Sequence, residues 1–284
     1  MPDRFRGRRV VVTGASRGIG AGIAERCAAE GADVAIVART LDHHDHLAGS
    51  LRETEARLAR FGGKVVVIAA DLSDADDRAR IVPEAVAGLG GPVEILINNA
   101  AAAIYAPLLT FPLKRRRIIY EINVHAPLDL TQAVAPAMLE AGEGWIVNVS
   151  SGSAKLTQGP PFSAGSVGST IGIYGSSKGA LNRLTNALAV ELHGTGVRIN
   201  TVEPEAAVLS EGADALVGGT LRPDQIESLE AMVEGTLFLC DCGPDHTGRV
   251  EVSLAVIARE GLTVMALDGA APYPGGIRPI RETA

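Results

Sequence analysis

Continuous apolar, β-branched runs recur along the chain at residues 10–13, 33–38, 65–69, 93–97, 145–149, 198–202 and 262–267. Polar residues do not alternate within them. A strand covered on both faces reads this way, because neither face is left to water. Between the runs lie Ala- and Leu-rich stretches with helical spacing, among them 23–30, 51–61 and 180–192. Strand, helix and strand in repeated order predict an α/β fold. The sheet should be parallel and seven-stranded, with right-handed crossovers and helices on both faces. No linker divides the chain and no solenoid-type repeat occurs, so residues 1–284 read as one domain.

Two stretches break the pattern. Residues 151–173 are rich in Gly, Ser and Pro, show little periodicity and read as a loop. Residues 269–284 carry three prolines and several glycines, and read as a tail either disordered or draped over a neighbouring subunit.

Composition narrows the function classes. Hydrophobic content of 46% and charged content of 21% fit a soluble globular protein. The net charge of −7 excludes a general nucleic-acid surface. Lys114, Arg115, Arg116 and Arg117 are a local exception, read as a solvated helix face. Cys27, Cys240 and Cys242 form neither a disulfide framework nor a zinc spacing, and a reducing cytoplasm fits them best. No apolar signal core precedes the first strand, and no apolar run is long enough to span a bilayer. His43, His44 and His46 lack a fourth ligand at useful spacing, so they read as a polar loop and no metal is expected.

The first strand leads directly into TGASRGIG, with Gly14, Gly18 and Gly20 where a strand turns into a helix. Glycine there permits the tight turn and lets backbone approach a pyrophosphate, while the helix start offers free N–H groups. The second strand ends in Ala38, Arg39 and Thr40, with no acid to hold a ribose 2′-hydroxyl. Arg39, assisted by Arg17, has the forked donors that suit a 2′-phosphate. NADP(H) is the preferred cofactor on this reading, with NAD(H) possible.

YGSSK places Tyr174 and Lys178 one helical turn apart on one face. Alone, the pair reads better as a surface tyrosine near a solvated lysine. With TGASRGIG at 13–20, DL at 71–72, NNAA at 98–101, INV at 122–124, VNVSS at 147–151 and RINTVEP at 198–204, it resembles the short-chain dehydrogenase/reductase family over nearly the whole chain.

That resemblance implies a single Rossmann-type, doubly wound domain and a nicotinamide cofactor. It also implies a small-molecule carbonyl or alcohol substrate and a homo-oligomer, tetramer or dimer. Tyr174 would be the acid/base, Lys178 its partner, and Ser151 the donor to the substrate oxygen, with Ser150 and Ser153 as alternatives. Asn123 would hold a water in a proton relay. The cofactor site would comprise Gly14, Ser16, Arg17, Gly18, Ile19, Gly20, Arg39, Asp71, Leu72, Asn98, Ala100, Tyr174, Lys178, Pro204 and Ala207. A lysine cation about 4 Å from the phenol, at an effective dielectric of about 20, would lower the phenol pKa by roughly 3 units.

Three departures from the family pattern stand out. Ala101 replaces a glycine, Ser151 and Tyr174 are 174 − 151 = 23 positions apart, and Glu203, Pro204 and Glu205 stand where backbone normally meets the nicotinamide. The long loop reads either as a lid closing Phe162 on the substrate or as a surface excursion. The expected function is an NADP(H)-dependent oxidoreductase acting on a medium-sized, apolar carbonyl or secondary alcohol. The alternatives are an epimerase or dehydratase on the same fold, and a non-catalytic dinucleotide-binding protein.

Overall fold

The computed structural model describes residues 3–43, 48–164, 166–209 and 221–280. Its first half is β1 (Arg9–Thr13), α1 (Gly18–Ala29), β2 (Asp33–Ala38), α2 (Leu51–Ala59), β3 (Val65–Ala69), α3 (Ala75–Leu89) and β4 (Ile95–Asn98). The second half is α4 (Leu113–Tyr120), α5 (Ala126–Ala141), β5 (Gly144–Val149), α6 (Gly172–Glu191), β6 (Val197–Glu203), β7 (Ala207–Val208), β8 (Ile226–Glu227), α7 (Leu229–Leu239), β9 (Val250–Val252) and α8 (Ser253–Glu260).

Seven strands pair in the order β3-β2-β1-β4-β5-β6-β9, all parallel. Chain order reverses between β1 and β4. The carboxyl ends of the strands open a crevice there, which is where ligands bind in sheets of this kind. Ile23, Cys27, Met232 and Leu237 cover one face, and Ile81, Ala85, Leu130 and Ala189 the other. Burial on both faces accounts for the unbroken apolar runs. Polar side chains start the helices: the Ser50 hydroxyl accepts from Glu53 N, and Asp74 accepts from Asp76 N and Asp77 N.

The seventh strand is not where the apolar pattern places it. Residues 262–267 form no strand; Leu262 and Val264 instead pack in a small cluster with Ala231, Ile257 and Tyr273. The shorter run Val250–Val252 takes the edge, pairing with Thr201, Val202 and Glu203. Side-chain hooks select it. Asn200 accepts from Arg249 N and donates to His246 O, and Thr247 accepts from Ile199 N. These bonds lay the segment along β6 before β9 begins. Over residues 269–280 the tail packs on its own chain, with Arg278 donating to Ile226 O, Ser228 N to Ile277 O, and Ile280 N to the Tyr273 hydroxyl.

Candidate active site

The turn after β1 is built for close backbone approach. Gly14 and Gly18 adopt φ of 68° and 56°, which side-chain-bearing residues rarely adopt. A methyl on Gly20 would collide with the Asn99 carboxamide and the Gly14 carbonyl. Asn99 donates to Thr13 O (2.9 Å) and Gly14 O (3.3 Å), and the Thr13 hydroxyl accepts from Asn99 N and Ala100 N. The ends of β1 and β4 are thereby fastened together. No side chain caps α1, so its first N–H groups are left for an anion. Gly20→Ala is expected to destabilise by about 1–3 kcal/mol through overpacking, lowering Tm by several degrees in a thermal melt.

Beside this turn a cleft of about 190 Å³ is lined by Gly14, Ser16, Ala38, Arg39, Ala70, Asp71, Leu72, Asn99, Ala100, Ala101 and Ile122. Ala38, Ala70 and Leu72 supply flat apolar walls. Arg39 is largely exposed and lies 3.8 Å from Asp71. The other Asp71 oxygen accepts from Ser73 N and Oγ. The cleft has apolar walls and carries the Arg39–Asp71 pair at its rim. Ile19 packs against the core below the turn.

Arg17 does not reach into this cleft. Its guanidinium donates to Ala48 O (2.7 Å) and Gly49 O (2.6 Å), so it ties the segment before α2 to the phosphate turn. Asn98 is buried and donates to Asn148, behind the cleft rather than in its wall. Of the expected polar histidine loop, His44 and His46 lie outside the described residues. Among the described residues no His, Cys, Asp and Glu cluster could hold a metal.

The second cluster sits at the ends of β5 and α6. Tyr174 is half-buried with its hydroxyl on the side of Ser151, whose Oγ accepts from Ser153 N and Oγ. Ser150 is directed elsewhere, donating to Asn182 Oδ1 at 2.6 Å. Lys178 is fully buried and donates to Val149 O at 2.7 Å, with Nζ 5.9 Å from the Tyr174 ring centre.

Burial, reinforced by the neighbouring Tyr105 phenol and opposed by the Ser151 bond, pushes the Tyr174 pKa up to about 12. Burial brings Lys178 down to about 8. The expected lowering of the phenol is therefore reversed in this structure, because the ammonium is turned to a backbone carbonyl and desolvation dominates.

Asn123 occupies a single π-helical turn, Glu121–His125, between α4 and α5. Such turns often mark functional sites. Its Oδ1 accepts from Ala102 N, while Nδ2 donates to Ala102 O and Ser177 Oγ. Ser177 in turn donates to Tyr174 O. The carboxamide thus splints the first turn of α6 to the strand end after β4. Only one Oδ1 lone pair remains for a water, so the expected relay role has little side-chain capacity left.

The family departures have local answers. Ala101 costs no backbone strain, since no non-glycine described residue has positive φ. The turn at 204–206 hangs on buried Glu227, whose carboxylate accepts from Glu205 N, Ala206 N and Ser253 Oγ. The Glu205 side chain faces outward, Pro204 is half-buried, and Ala207 continues into the short β7–β8 pair. Glu203 is buried and pairs with Lys155 at 2.7 Å. The Phe162 ring lies over Gly159 of its own loop, and it is Tyr105 that meets Tyr174 edge-on, with ring centres 5.9 Å apart.

Sequence reasoning passed over Asn99, Tyr105, Ser177 and Glu227. For Asn99 the signal was its place inside NNAA, and for Ser177 its place inside YGSSK. For Tyr105 and Glu227 there was none.

The short chain dehydrogenase family profile matches residues 8–214. The chain belongs to that family. It is 35% identical over 241 residues to a short chain dehydrogenase of Pseudocercospora fijiensis, covering 82% of this chain and 72% of the relative. To the ketoacyl reductase HetN of Nostoc it is 34% identical over 198 residues, covering 70% of this chain and 63% of that one. A crystal structure described as an NAD(P) dependent gluconate 5-dehydrogenase from Beutenbergia cavernae, with bound NADP, superposes with TM-score 0.75 at 29% identity, covering 89% and 97% of the two chains. With these relatives the chain is an NAD(P)-dependent dehydrogenase/reductase. No helix among the described residues is long and apolar enough to cross a membrane.

Proposed function

We propose that this short-chain dehydrogenase uses NADP(H) to interconvert a carbonyl and a secondary alcohol, with Tyr174 as the acid/base. What supports this reading is the half-buried Tyr174 standing between Ser151 and the fully buried Lys178, whose Nζ lies 5.9 Å from the ring centre. The nicotinamide, when bound, supplies or accepts a hydride with its electron pair. In the reducing direction the C=O π pair moves to oxygen, which takes the Tyr174 proton. Ser151 donates a hydrogen bond to that oxygen and keeps it near the phenol. Lys178 lies within reach of the phenol edge, where an ammonium turned from Val149 O stabilises the phenolate left behind. Burial of both groups excludes water and strengthens the interaction. The subunits assemble as a homodimer or tetramer, which sedimentation would read directly.

A phenol held up at about 12 makes the two directions respond differently to pH. Reduction needs the protonated phenol and should be flat across neutrality. Oxidation needs the phenolate and should rise with pH through the neutral range. Rate profiles in both directions check this, and an oxidation rate that falls with pH contradicts it.

Cofactor choice follows from Arg39 at the rim of the cleft and the absence of an acid at the end of β2. A charge-assisted contact to the 2′-phosphate is worth roughly 1.5–3 kcal/mol, about 10- to 150-fold in affinity. Arg39→Asp is expected to weaken NADP(H) by that factor and leave NAD(H) nearly unchanged in calorimetric titrations. Equal losses for both cofactors would remove Arg39 from this role.

A further inference from the structure

β5 ends at Val149, and the long loop that follows leaves the body of the domain within a few residues. Residues 156–164 are all exposed. Tyr174 and Lys178 are held by a helix, but Ser151 stands at the root of this loop. Whatever fixes it lies before Leu156.

Two cross-links to β6 enclose it. Ser150 N donates to Val202 O at 2.7 Å, and the Lys155 ammonium lies 2.7 Å from Glu203 Oε1. The chain from 150 to 155 is thus tied at both ends to two successive residues of one strand, with Ser151 inside the tie. The short helical turn Gly152–Ala154 packs against the glycine face of α6. A methyl on Gly175 would collide with Ser153 O, and Gly179 faces Ala154 O. The anchor on β6 is itself firm. Glu203 pairs with Val252 of β9, and the turn after it is fastened by Glu227.

The Lys155–Glu203 tie differs from the other buried charges. Arg26 meets Glu30 and Glu234, and Arg78 meets Glu121 and Asp129. Glu203 is fully buried, and neither of its oxygens has a hydrogen-bond partner among the described residues. Lys155 alone compensates it, and that side chain is 66% exposed. Such a pair is a weak source of net stability, yet separating it is costly, because a carboxylate is left buried and uncompensated. The lysine therefore cannot follow the loop outward without that penalty.

We propose that Glu203 and Lys155 are positioning residues for Ser151. The pair holds the turn 152–154 on β6 and keeps the long loop from drawing the serine hydroxyl away from the substrate oxygen. The inference rests on the reductase reading above. It also gives a role to the acid that departs from the family pattern at position 203.

The test is a double-mutant cycle on NADPH-saturated enzyme, with the ketone that the wild type reduces fastest. Lys155→Met alone would strand the carboxylate, so the strut is removed as the charge-free pair Glu203→Gln/Lys155→Met. This change should lower kcat about 10- to 100-fold, the scale of an ångström-sized misplacement, and leave NADPH affinity unchanged. Lys155→Arg, which returns a cation, should restore most of the rate. In a Ser151→Ala background the same charge-free pair should lower kcat by less than about twofold, since no hydroxyl is left to position. Hydrogen exchange of residues 150–156 reads the turn without turnover, and should quicken about tenfold or more in the charge-free pair.

A full loss of kcat on top of Ser151→Ala overturns the proposal, because the pair then acts elsewhere. Unchanged kcat in the charge-free pair also overturns it, whether or not exchange quickens. If the wild type reduces no ketone, the reductase reading falls and the role in turnover falls with it. If ketones are reduced and only the cycle fails, the reductase reading stands without the strut.

Discussion

Tyr174→Phe is expected to lower kcat by about 10²–10⁴-fold, the usual contribution of a positioned general acid or base, and to leave NADP(H) affinity unchanged. The split follows from where the two parts of the side chain lie. The ring packs edge-on to Tyr105 and beside Lys178, and phenylalanine keeps both contacts. The hydroxyl lies on the side of Ser151 and, on the proposed mechanism, exchanges a proton with the substrate oxygen. Its loss removes one hydrogen bond, a stability change of only about 0.5–1.5 kcal/mol. Turnover and cofactor affinity measured on the same preparation separate the roles. A variant keeping most of its kcat would move proton transfer to another group, while one that loses NADP(H) would make the tyrosine a binding residue.

Lys178→Met is expected to abolish turnover without costing stability, which is unusual for a fully buried residue. Burial lowers the folded-state lysine from 10.5 to about 8, a difference of 10.5 − 8 = 2.5 units. At about 1.4 kcal/mol per unit, keeping the ammonium buried costs about 3 kcal/mol below pH 8. Between pH 8 and 10.5 the unfolded chain holds this proton and the folded chain does not. Stability of the wild type should therefore rise with pH across that window.

Methionine fills similar volume and removes the charge, but leaves Val149 O without its donor, at about 1–3 kcal/mol. The net effect at pH 7 is a gain of about 0–2 kcal/mol, and the rise between pH 8 and 10.5 flattens. Denaturant titrations at several pH values read both. A variant destabilised by several kcal/mol at pH 7, with the rise intact, would show that Lys178 is not the titrating group.

The strands were legible because each central one is buried on both faces and so reads as an unbroken apolar run between turn residues. The edge was not. At residues 250–252 the strand is three residues long and includes Glu251, and what aligns it is Asn200 and Thr247, which a hydrophobic pattern does not contain. The more apolar 262–267 therefore looked like the better strand. Glycines of the phosphate turn were readable because positive φ and close approach leave few residue choices.

The polar roles were harder to read. Arg17 has the composition of a phosphate ligand, yet its fork is satisfied by two carbonyls brought near by the chain beyond β2. The pKa of Tyr174 depends on where the Lys178 ammonium points, and Val149 O decides that. Tyr105, 69 positions before Tyr174, is placed by the fold alone.

The proposed reaction is net hydride transfer at a carbonyl with Tyr174 moving the proton. Following NADPH absorbance at 340 nm across a panel of ketones, with wild type and Tyr174→Phe side by side, tests it most directly. Ketone-dependent loss of NADPH is expected in the wild type, accompanied by the matching alcohol, and none in the variant. Bound NADPH that is never consumed with any ketone, or consumption that persists in Tyr174→Phe, would contradict it.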